Sequence, residues 1–480
     1  MKVYKILVFI LLVITALTII CLIFPSNGIS IGSLTLRFPP IEKILVRDSI
    51  PTADIIEDPI DNGVEIKEEL ESLKDTLAQY KMILLTKPGH FYFPDDDIHF
   101  FDKLFAKMGS AKANKRIVRV LHYGDSQIEM DRLTSNLREF FQAKFGGGGP
   151  GLVPLVQNIP SFSVSQYASG TPTLYTIYGD GARTSGGNYG LMAKCYRLNG
   201  GITFTANASS YKEASQKIKR FSNIKLLFND RNASFKATLD DKKGPFEQTR
   251  ESTINGIQLF TWKLDTPTTS FSIKMQGSAD IYGIMIDDGY GVAVDNIPLR
   301  GSSGTIFTQI NDSILRTCYQ LSDVGLIILQ FGGNSVPGIN GEKSVQNFKE
   351  SVARQLQYMK RIYPQAQILY IGPSDMATRL NGNLQTYPYL PAVVKALKEA
   401  ALENGAAYWD IFDVMGGKSS MIAWVQNGLA GSDYIHFTPS GANKVGKNLS
   451  NSFATLYDFY IMRKDIDKQQ FDTLWNASRP

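Results

Sequence analysis

The sequence contains few of the residues that bind metal ions or form disulfides. Its 480 residues include only three cysteines and four histidines, and these do not cluster with carboxylates at metal-ligand spacing. We therefore expect neither a metal ion nor a cofactor. Cys21 lies in an apolar N-terminal run. We expect Cys195 and Cys318 to remain unpaired, because they fall in separate predicted domains.

Long runs of a single charge are also missing. The formal net charge of +5 is small for a chain of this length, and lysines and arginines never occur more than two in a row. This composition argues against nucleic-acid binding, although slight basicity is compatible with an anionic cell-wall polymer. No internal repeat or low-complexity tract stands out. The length favours about three structural units.

A serine lies in a sequence context that suits a nucleophile. Residues 117–121 form a short apolar run that predicts a buried strand, interrupted only by Arg119. Between residues 131 and 145, apolar side chains recur every three or four positions, which predicts an amphipathic helix. Ser126 lies between the two, in a turn at the carboxyl edge of a sheet, where ligands bind in open α/β folds. The alternative is an ordinary Gly-Asp-Ser turn and helix cap.

A serine nucleophile needs a histidine base and preferably an acid that orients this base. His90 and His99 lie in a Pro- and Asp-rich stretch before the predicted fold, and His122 lies inside the predicted strand. His436 is therefore the candidate base. Asp433, three residues earlier in the same loop, is the candidate that holds the imidazole in the productive tautomer. The alternative for this Asp-x-x-His spacing is an ordinary solvated loop.

Hydrogen-bond donors for a developing oxyanion form the third requirement. The apolar run at residues 324–331 predicts a strand that ends in Gly332-Gly333-Asn334, so the Asn334 amide is expected at the same sheet edge as Ser126. Gly301 lies in a glycine-bounded loop and offers a backbone N–H. Either segment taken alone also fits plain turn chemistry.

The order of these five residues along the chain resembles that of the SGNH (GDSL-type) hydrolases. They are Ser126, Gly301, Asn334, Asp433 and His436. The resemblance implies that the serine, the glycine and the asparagine supply the oxyanion donors. It also implies that the aspartate and the histidine come from one late Asp-x-x-His motif and complete a catalytic triad. One departure is Ser335, where many members of the family have an aspartate, and this leaves the support of the asparagine loop open.

A closer resemblance is to the bacterial peptidoglycan O-acetylesterases of this family. They carry a β module, similar to carbohydrate-binding domains, between the serine and glycine motifs. The similarity covers roughly residues 95–460 and rests on segments that begin at Phe145, Asp288, Met415 and Gly428. It implies an O-acetylated polysaccharide as the substrate, with peptidoglycan as the first candidate.

Alternating strand and helix patterns predict a doubly wound, three-layer α/β hydrolase with a parallel, flavodoxin-like sheet. Short alternating runs between residues 153 and 296 predict an inserted β-sandwich. Its tyrosines either stack on sugars or fill the core; they are Tyr167, Tyr175, Tyr178, Tyr189 and Tyr196. The predicted units are a transmembrane anchor (1–25), a stalk (26–95), a first hydrolase segment (96–152), the β insert (153–296), a second hydrolase segment (297–465) and a C-terminal tail (466–480).

The N-terminus predicts a membrane anchor. Residues 6–24 form a run of 19 uncharged residues that follows Lys2 and Lys5, and this length suffices to span a bilayer. No Ala-x-Ala cleavage site follows, so we expect one uncleaved span in a bacterial inner membrane with the enzyme on the periplasmic side. The alternative is secretion after signal cleavage. The helical pattern at residues 64–85 belongs to the predicted stalk, or alternatively to a helix packed on the main domain.

The residues and the resemblance together predict a membrane-anchored serine esterase that removes O-acetyl groups from a cell-wall glycan through an acyl-enzyme. An O-acetyltransferase that uses the same Ser-His-Asp site is the nearest alternative. A catalytically inactive, glycan-binding wall protein is a second alternative from a different class. Hydrolysis of a lipid or a thioester is a third, which a long apolar pocket would favour.

Overall fold

A computed structural model of the protein describes residues 29–31, 34–36, 66–212, 214–241 and 247–478. Residues 1–70 form one unit, in which β1 (Ile29–Ile31) and β2 (Leu34–Leu36) pair as an antiparallel hairpin. Residues 71–480 form a second unit. The predicted anchor at residues 6–24 lies outside the described residues. Among the helices that are described, none combines the length and the apolar character needed to cross a membrane.

The strands of the second unit form two large sheets and a small hairpin. In chain order they are β3 (Phe91–Tyr92), β4 (Ile117–Gly124), β5 (Gly151–Val153), β6 (Val164–Ser169), β7 (Thr173–Thr176), β8 (Lys194–Ala208), β9 (Phe221–Asp230), β10 (Lys236–Asp240), β11 (Glu247–Glu251), β12 (Gly256–Thr268), β13 (Ser270–Asp287), β14 (Gly291–Pro298), β15 (Val324–Gln330), β16 (Gln367–Ile371), β17 (Ala377–Leu380), β18 (Asn383–Thr386) and β19 (Ala407–Trp409).

The described α-helices follow the apolar stripes of the sequence. They are α1 (Ile66–Thr86), α2 (Asp102–Ala111), α3 (Thr134–Phe145), α4 (Asp312–Leu321), α5 (Glu342–Ile362), α6 (Leu390–Glu403), α7 (Ile411–Met415), α8 (Ser420–Gln426), α9 (Pro439–Arg463) and α10 (Lys468–Ala477). Helix α3 begins at Thr134, three residues later than predicted. The preceding segment, Ser126–Asp131, is instead a 3₁₀ turn interrupted by the extended backbone of Glu129.

Six strands form the central sheet, in the order β14-β4-β15-β16-β19-β3. Five of them run parallel, and only the short edge strand β3 pairs antiparallel with its neighbour β19. Because parallel strands end at a common edge, the segments that follow β4, β14 and β15 meet there. This arrangement sets the Ser126, Gly301 and Asn334 segments side by side, as predicted.

Helices cover both faces of the central sheet. Along β4, Val118 and Val120 belong to one hydrophobic cluster, whereas Leu121 and Tyr123 belong to the other, because successive side chains in a strand point to opposite faces. Helices α4, α5 and α6 pack in the cluster on one face, and α2, α3 and α9 pack in that on the other. The predicted α/β architecture with a parallel sheet is therefore confirmed.

Nine strands between β5 and β13 form the second sheet. Its longest strand, β13, pairs with β8 and β10 along its first half and with β9 and β5 along its second half. A bulge between Ile281 and Gly283 bends β13 between the two halves, so the sheet folds around its own hydrophobic core. Strands of 15, 13 and 18 residues replace the short strands of the predicted sandwich.

Strand β14 shifts one predicted boundary. It pairs in register with β4 from Gly291 to Pro298, so residues 291–296, predicted as the end of the β insert, lie in the central sheet. The division of the chain into domains otherwise stays a prediction. Cys195, in β8, and Cys318, in α4, are both free and buried in the same hydrophobic cluster.

The segments predicted as stalk and tail pack against the domain of the central sheet. Leu77 and Leu84 of α1 are buried in the cluster beneath α9, and β3 extends the central sheet. The stalk prediction is therefore wrong for residues 73–95, where the alternative of a packed helix holds. The predicted tail contains α10, whose Phe471 and Trp475 are buried in the same cluster. These aromatic side chains stabilise α10 by apolar burial.

A buried ionic network joins the two large sheets. Arg119 of β4 donates hydrogen bonds to Asp295 of β14 at 2.7 Å and to Asp287 at the end of β13, and all three side chains are excluded from solvent. Asp295 also accepts a hydrogen bond from the N–H of Leu152 in β5 at 2.8 Å. Arg119, the one residue that interrupts the apolar run of β4, is thus the cation that anchors the nine-stranded sheet to the central sheet.

We expect Arg119→Met to destabilise the protein by about 3–5 kcal/mol, because it leaves the buried Asp295 without its cation and leaves Asp287 with only the more distant Lys225, at 3.7 Å. Urea unfolding followed by circular dichroism measures the change. Arg354→Met is the matched control, since Arg354 is exposed on α5 and bonds only to Ser351. A loss of less than about 1 kcal/mol in Arg119→Met would show that the network does not hold the sheets together.

Candidate active site

Ser126 lies directly beyond the carboxyl end of β4. The strand ends at Gly124, and Asp125 caps the following 3₁₀ turn by accepting a hydrogen bond from the N–H of Gln127 at 2.9 Å. Aspartate suits this position because its short side chain reaches a free N–H at the start of a helical turn. Ser126 becomes the first residue of the turn, with no acceptor for its N–H inside the turn.

The structure brings Ser126, His436 and Asp433 into one hydrogen-bonded chain. Ser126 Oγ lies 2.8 Å from His436 Nε2, and His436 Nδ1 lies 2.7 Å from Asp433 Oδ2. Because an ionised carboxylate only accepts hydrogen bonds, Nδ1 carries the proton and donates it to Asp433. In the neutral imidazole, Nε2 is then the acceptor for the hydroxyl of Ser126. This is the arrangement that general-base activation of a serine requires.

The loop between Asp433 and His436 fixes the carboxylate. Asp433 Oδ1 accepts hydrogen bonds from the N–H groups of Ile435 and His436, both at 3.0 Å, and Tyr434 adopts a left-handed backbone conformation that closes the turn. Burial raises the pKa of Asp433, but the hydrogen bonds from the side chain and backbone of His436 outweigh it and hold the pKa below its usual value. Asp433 is therefore ionised at neutral pH.

Gln127 and Arg132 hold the histidine loop against the serine turn. Gln127 donates from Nε2 to the carbonyl of Ile435 at 2.7 Å and accepts from the N–H of Phe437 at 3.2 Å. Arg132 donates to the carbonyls of Phe437 at 3.0 Å and Ser126 at 2.8 Å. Sequence reasoning missed both residues. Their closeness to Ser126 in the chain is the only signal that could have indicated them.

The Asn334 amide and the Gly301 loop also meet at this edge. Asn334 Nδ2 donates to the carbonyl of Ser302 at 3.1 Å and to Asp125 Oδ2 at 3.4 Å, next to the serine. Gly301 has a φ of 76°, a conformation that favours glycine, and its N–H has no acceptor among the described residues. Both segments predicted to supply oxyanion donors thus lie beside Ser126.

The support that the sequence left open at Ser335 comes from elsewhere. Ser335 contributes a backbone hydrogen bond to Gly332, whereas the Asn334 side chain is held by Ser302 and Asp125. Burial raises the pKa of Asp125 to about 6, although the hydrogen bond from Gln127 lowers it in part. Above this pKa the hydrogen bond from Asn334 is charge-assisted and therefore stronger.

A small cavity of about 150 Å³ opens beside the serine. Ser126, His436 and Asn334 line it together with the apolar side chains of Pro373 and Met376. One water molecule occupies about 30 Å³ in the liquid, so the cavity has room for only a few non-hydrogen atoms. The side chains of His436 and Asp433 are 42% and 49% exposed, so the triad itself faces solvent. A short acyl group on a large, solvent-borne substrate fits this shape.

His122 does not join the site. It is buried between Thr134, 2.8 Å from Nδ1, and Gln330, 3.0 Å from Nε2. Burial lowers the pKa of His122 to about 3, so the imidazole is neutral. A buried, neutral histidine with both ring nitrogens bonded serves the core of β4, in agreement with its exclusion as the base.

His90 and His99 lie within the folded unit and not before it. His99 lies 2.9 Å from Asp102 and 2.9 Å from Asp472, so it links α2 to α10. His90 packs against the ring of Tyr92 in β3, with the ring centroids 4.2 Å apart and the ring planes tilted by 53°. The expectation that both precede the fold is therefore wrong, because the segment before α2 packs into the sheet and cores. Neither histidine contacts Ser126, Asp433 or His436.

Comparison with known proteins was made at the levels of sequence and structure. No protein-family model and no curated protein sequence matches the chain. A solved structure of a family two carbohydrate esterase from Cellvibrio japonicus is 11% identical and covers 62% of this chain and 98% of its own, with a TM-score of 0.24. A TM-score this low does not establish a shared fold.

A solved peptidoglycan O-acetylesterase gives a much better match. It is 20% identical to this chain, the match covers 75% of this chain and 96% of that protein, and the TM-score is 0.61. Likeness at this level of identity establishes the fold. The chain therefore shares the fold of this peptidoglycan O-acetylesterase.

Proposed function

We propose that the protein is a serine esterase that removes O-acetyl groups from a cell-wall glycan. One observation carries the proposal: the hydrogen-bonded chain of Asp433, His436 and Ser126 borders the same small cavity as the amide of Asn334. A nucleophile, its base and an oxyanion donor thus surround a space of acetyl size, and the acid orients the base from outside this space. Acyl transfer is the reaction that needs these four groups together.

The first half of the reaction forms an acyl-enzyme. Ser126 Oγ attacks the ester carbonyl while its proton passes to His436 Nε2, and Asp433 stabilises the resulting imidazolium. The oxyanion accepts hydrogen bonds from the N–H groups of Ser126 and Gly301 and from Asn334 Nδ2, which exchanges its long contact of 3.4 Å with Asp125 for the oxyanion. When the tetrahedral intermediate collapses, His436 returns the proton to the departing sugar hydroxyl. The acetyl group remains on Ser126 as an ester.

The second half releases acetate. His436 Nε2 takes a proton from a water molecule, the hydroxyl attacks the acetyl carbonyl and the same three donors hold the second oxyanion. Collapse of this intermediate returns the proton to Ser126 Oγ. The solvent exposure of His436 supports hydrolysis, because water reaches the base without passing through a closed lid.

Further observations support the proposed substrate and the proposed location. The cavity limits the acyl group to a short one, and the exposed triad admits a polymer. The solved protein that shares the fold acts on peptidoglycan by its name, which makes O-acetylated peptidoglycan the first substrate to test. We further propose that residues 6–24 anchor the enzyme in a bacterial inner membrane and that the catalytic unit faces the periplasm, since this run is uncharged and follows two lysines.

We expect Ser126→Ala to reduce acetate release from O-acetylated peptidoglycan by about three orders of magnitude or more, because the other triad residues cannot act without the nucleophile. Acetate is measured enzymatically with the purified full-length protein in detergent. Ser110→Ala, on the exposed surface of α2, is the control and should keep full activity. Retention of activity in Ser126→Ala would rule out this nucleophile.

Removal of the asparagine amide tests the oxyanion site. We expect Asn334→Ala to lower kcat by about 100-fold or more with a small change in KM, since the donor acts mainly in the transition state. Steady-state kinetics with 4-nitrophenyl acetate separate the two constants. Asn347→Ala, on an exposed face of α5, is the matched control. A rise in KM at constant kcat would instead assign Asn334 to ground-state binding.

Replacement of the orienting acid tests the tautomer argument. We expect Asp433→Asn to lower kcat by about 100-fold or more, because an amide no longer favours the protonated Nδ1 of His436. Thermal unfolding should change little, since Asp433 is half-exposed. Asp465→Asn, at a highly exposed position, controls for the loss of one charge. A kcat within twofold of the wild type would show that the carboxylate does not orient the base.

A further inference from the structure

A second cavity lies beside the serine turn and is three times as large as the first, about 450 Å³ against 150 Å³. Its size falls in the range of about 300–1,000 Å³ that is typical of small-molecule sites. One wall consists of the serine turn at Glu129–Asp131. The opposite wall consists of residues 150–166 and the start of β8 at Lys194. The cavity therefore lies at the junction of the hydrolase and the nine-stranded sheet.

Two residues that line this cavity, Glu129 and Arg300, are neighbours in the chain of residues of the candidate active site. Glu129 follows Ser126 by three residues, and Arg300 directly precedes Gly301, whose N–H is a proposed oxyanion donor. Glu129 and Arg300 pair across the rim at 2.7 and 2.8 Å. A molecule in the cavity would thus lie near the acetylated sugar, and a neighbouring unit of the same glycan chain is a suitable occupant.

The charges that line the cavity cancel except for one. Glu129 pairs with Arg300, and Asp131 pairs with Arg138. Lys194 also lines the cavity, and no carboxylate in the described part of the chain lies within 4.0 Å of its ammonium group. The lining therefore carries one unmatched positive charge.

The unmatched lysine is partly buried, which opposes its charge. Burial lowers the pKa of Lys194 to about 8, so the group is still mainly charged at neutral pH. A desolvated cation without a partner costs free energy that a bound anion would recover. The remaining lining supplies groups that suit a sugar. Tyr178, Gln157 and Asn158 offer hydrogen-bonding side chains, and Ile159 and Pro160 offer apolar surface.

We propose that this cavity binds a sugar residue that carries a carboxylate, next to the acetylated sugar, and that the Lys194 ammonium pairs with this carboxylate. The proposal rests on the proposed esterase function and specifies its substrate. Two kinds of sugar carry such a carboxylate. Muramic acid carries it on a lactyl ether, and a uronic acid carries it on the sugar ring. Neutral acetylated glycans would bind less tightly because the lysine would remain unpaired.

Kinetics on matched substrate pairs test the proposal. Each acetylated oligosaccharide, one with muramic acid and one with a uronic acid, is compared with its carboxyl-reduced form. We expect Lys194→Met to raise KM for at least one carboxylate substrate by about tenfold, and by at least fivefold more than for its reduced partner. Lys194→Arg should restore KM to within about threefold. Lys274→Met, exposed on β13 of the same sheet, controls for the lost charge.

Each outcome decides a separate point. An equal change in KM for the carboxylate and reduced substrates, or no change for either acid, would overturn the proposal. A response confined to one acid identifies the sugar. Calorimetry of the deacetylated acidic oligosaccharides with Ser126→Ala measures binding without turnover. If Lys194→Met weakens this binding, the site is supported even if the esterase proposal fails. If the affinity is the same with and without Lys194→Met, the proposed site is overturned.

Discussion

The site depends on one hydrogen bond, the contact of 2.8 Å between Ser126 Oγ and His436 Nε2, which joins residues 310 positions apart. No local preference of the chain brings these two groups together. The parallel sheet places the turn after β4 at its carboxyl edge, and Gln127 and Arg132 then bind the histidine loop through its backbone. Two side chains near Ser126 in the chain thus fix the position of His436. The position of the base therefore depends on the position of the serine turn.

The junction of the two sheets positions the second cavity in the same way. Arg119, Asp287 and Asp295 are buried together, and removal of any one would leave uncompensated charge in the interior. This penalty holds β13 against β14 and so fixes the nine-stranded sheet relative to the serine turn. The walls of the larger cavity come from both sheets, so its shape depends on this ionic network.

Much of this organisation could be predicted from the sequence, and the failures have physical causes. The strand before Ser126 and the helices at residues 342–362 and 439–463 carry clear periodicity, because each buries a regular face. The triad residues could be found because only four histidines compete for the role of base. The hydrogen bonds by which Gln127 and Arg132 hold the histidine loop could not be predicted. Their partners are backbone carbonyls and a backbone N–H, which every residue type can supply. The sequence leaves the packing of α1 as one of two alternatives and does not indicate that of α10, because the burial of both helices depends on partners distant in the chain.

Under the proposed function, the two cavities would have different roles in an esterase that acts on polymers. The smaller one is too confined to distinguish one glycan from another, since it has room for little more than the acyl group and the reacting atoms. Selectivity therefore has to come from contacts away from the ester, and binding energy gained there serves catalysis only if it holds the carbonyl between Ser126 and Asn334. The larger cavity meets this condition, because Glu129 and Arg300 tie its rim to the serine turn and the Gly301 loop. A sugar seated against Lys194 would orient the neighbouring acetyl group through one continuous, rigid surface.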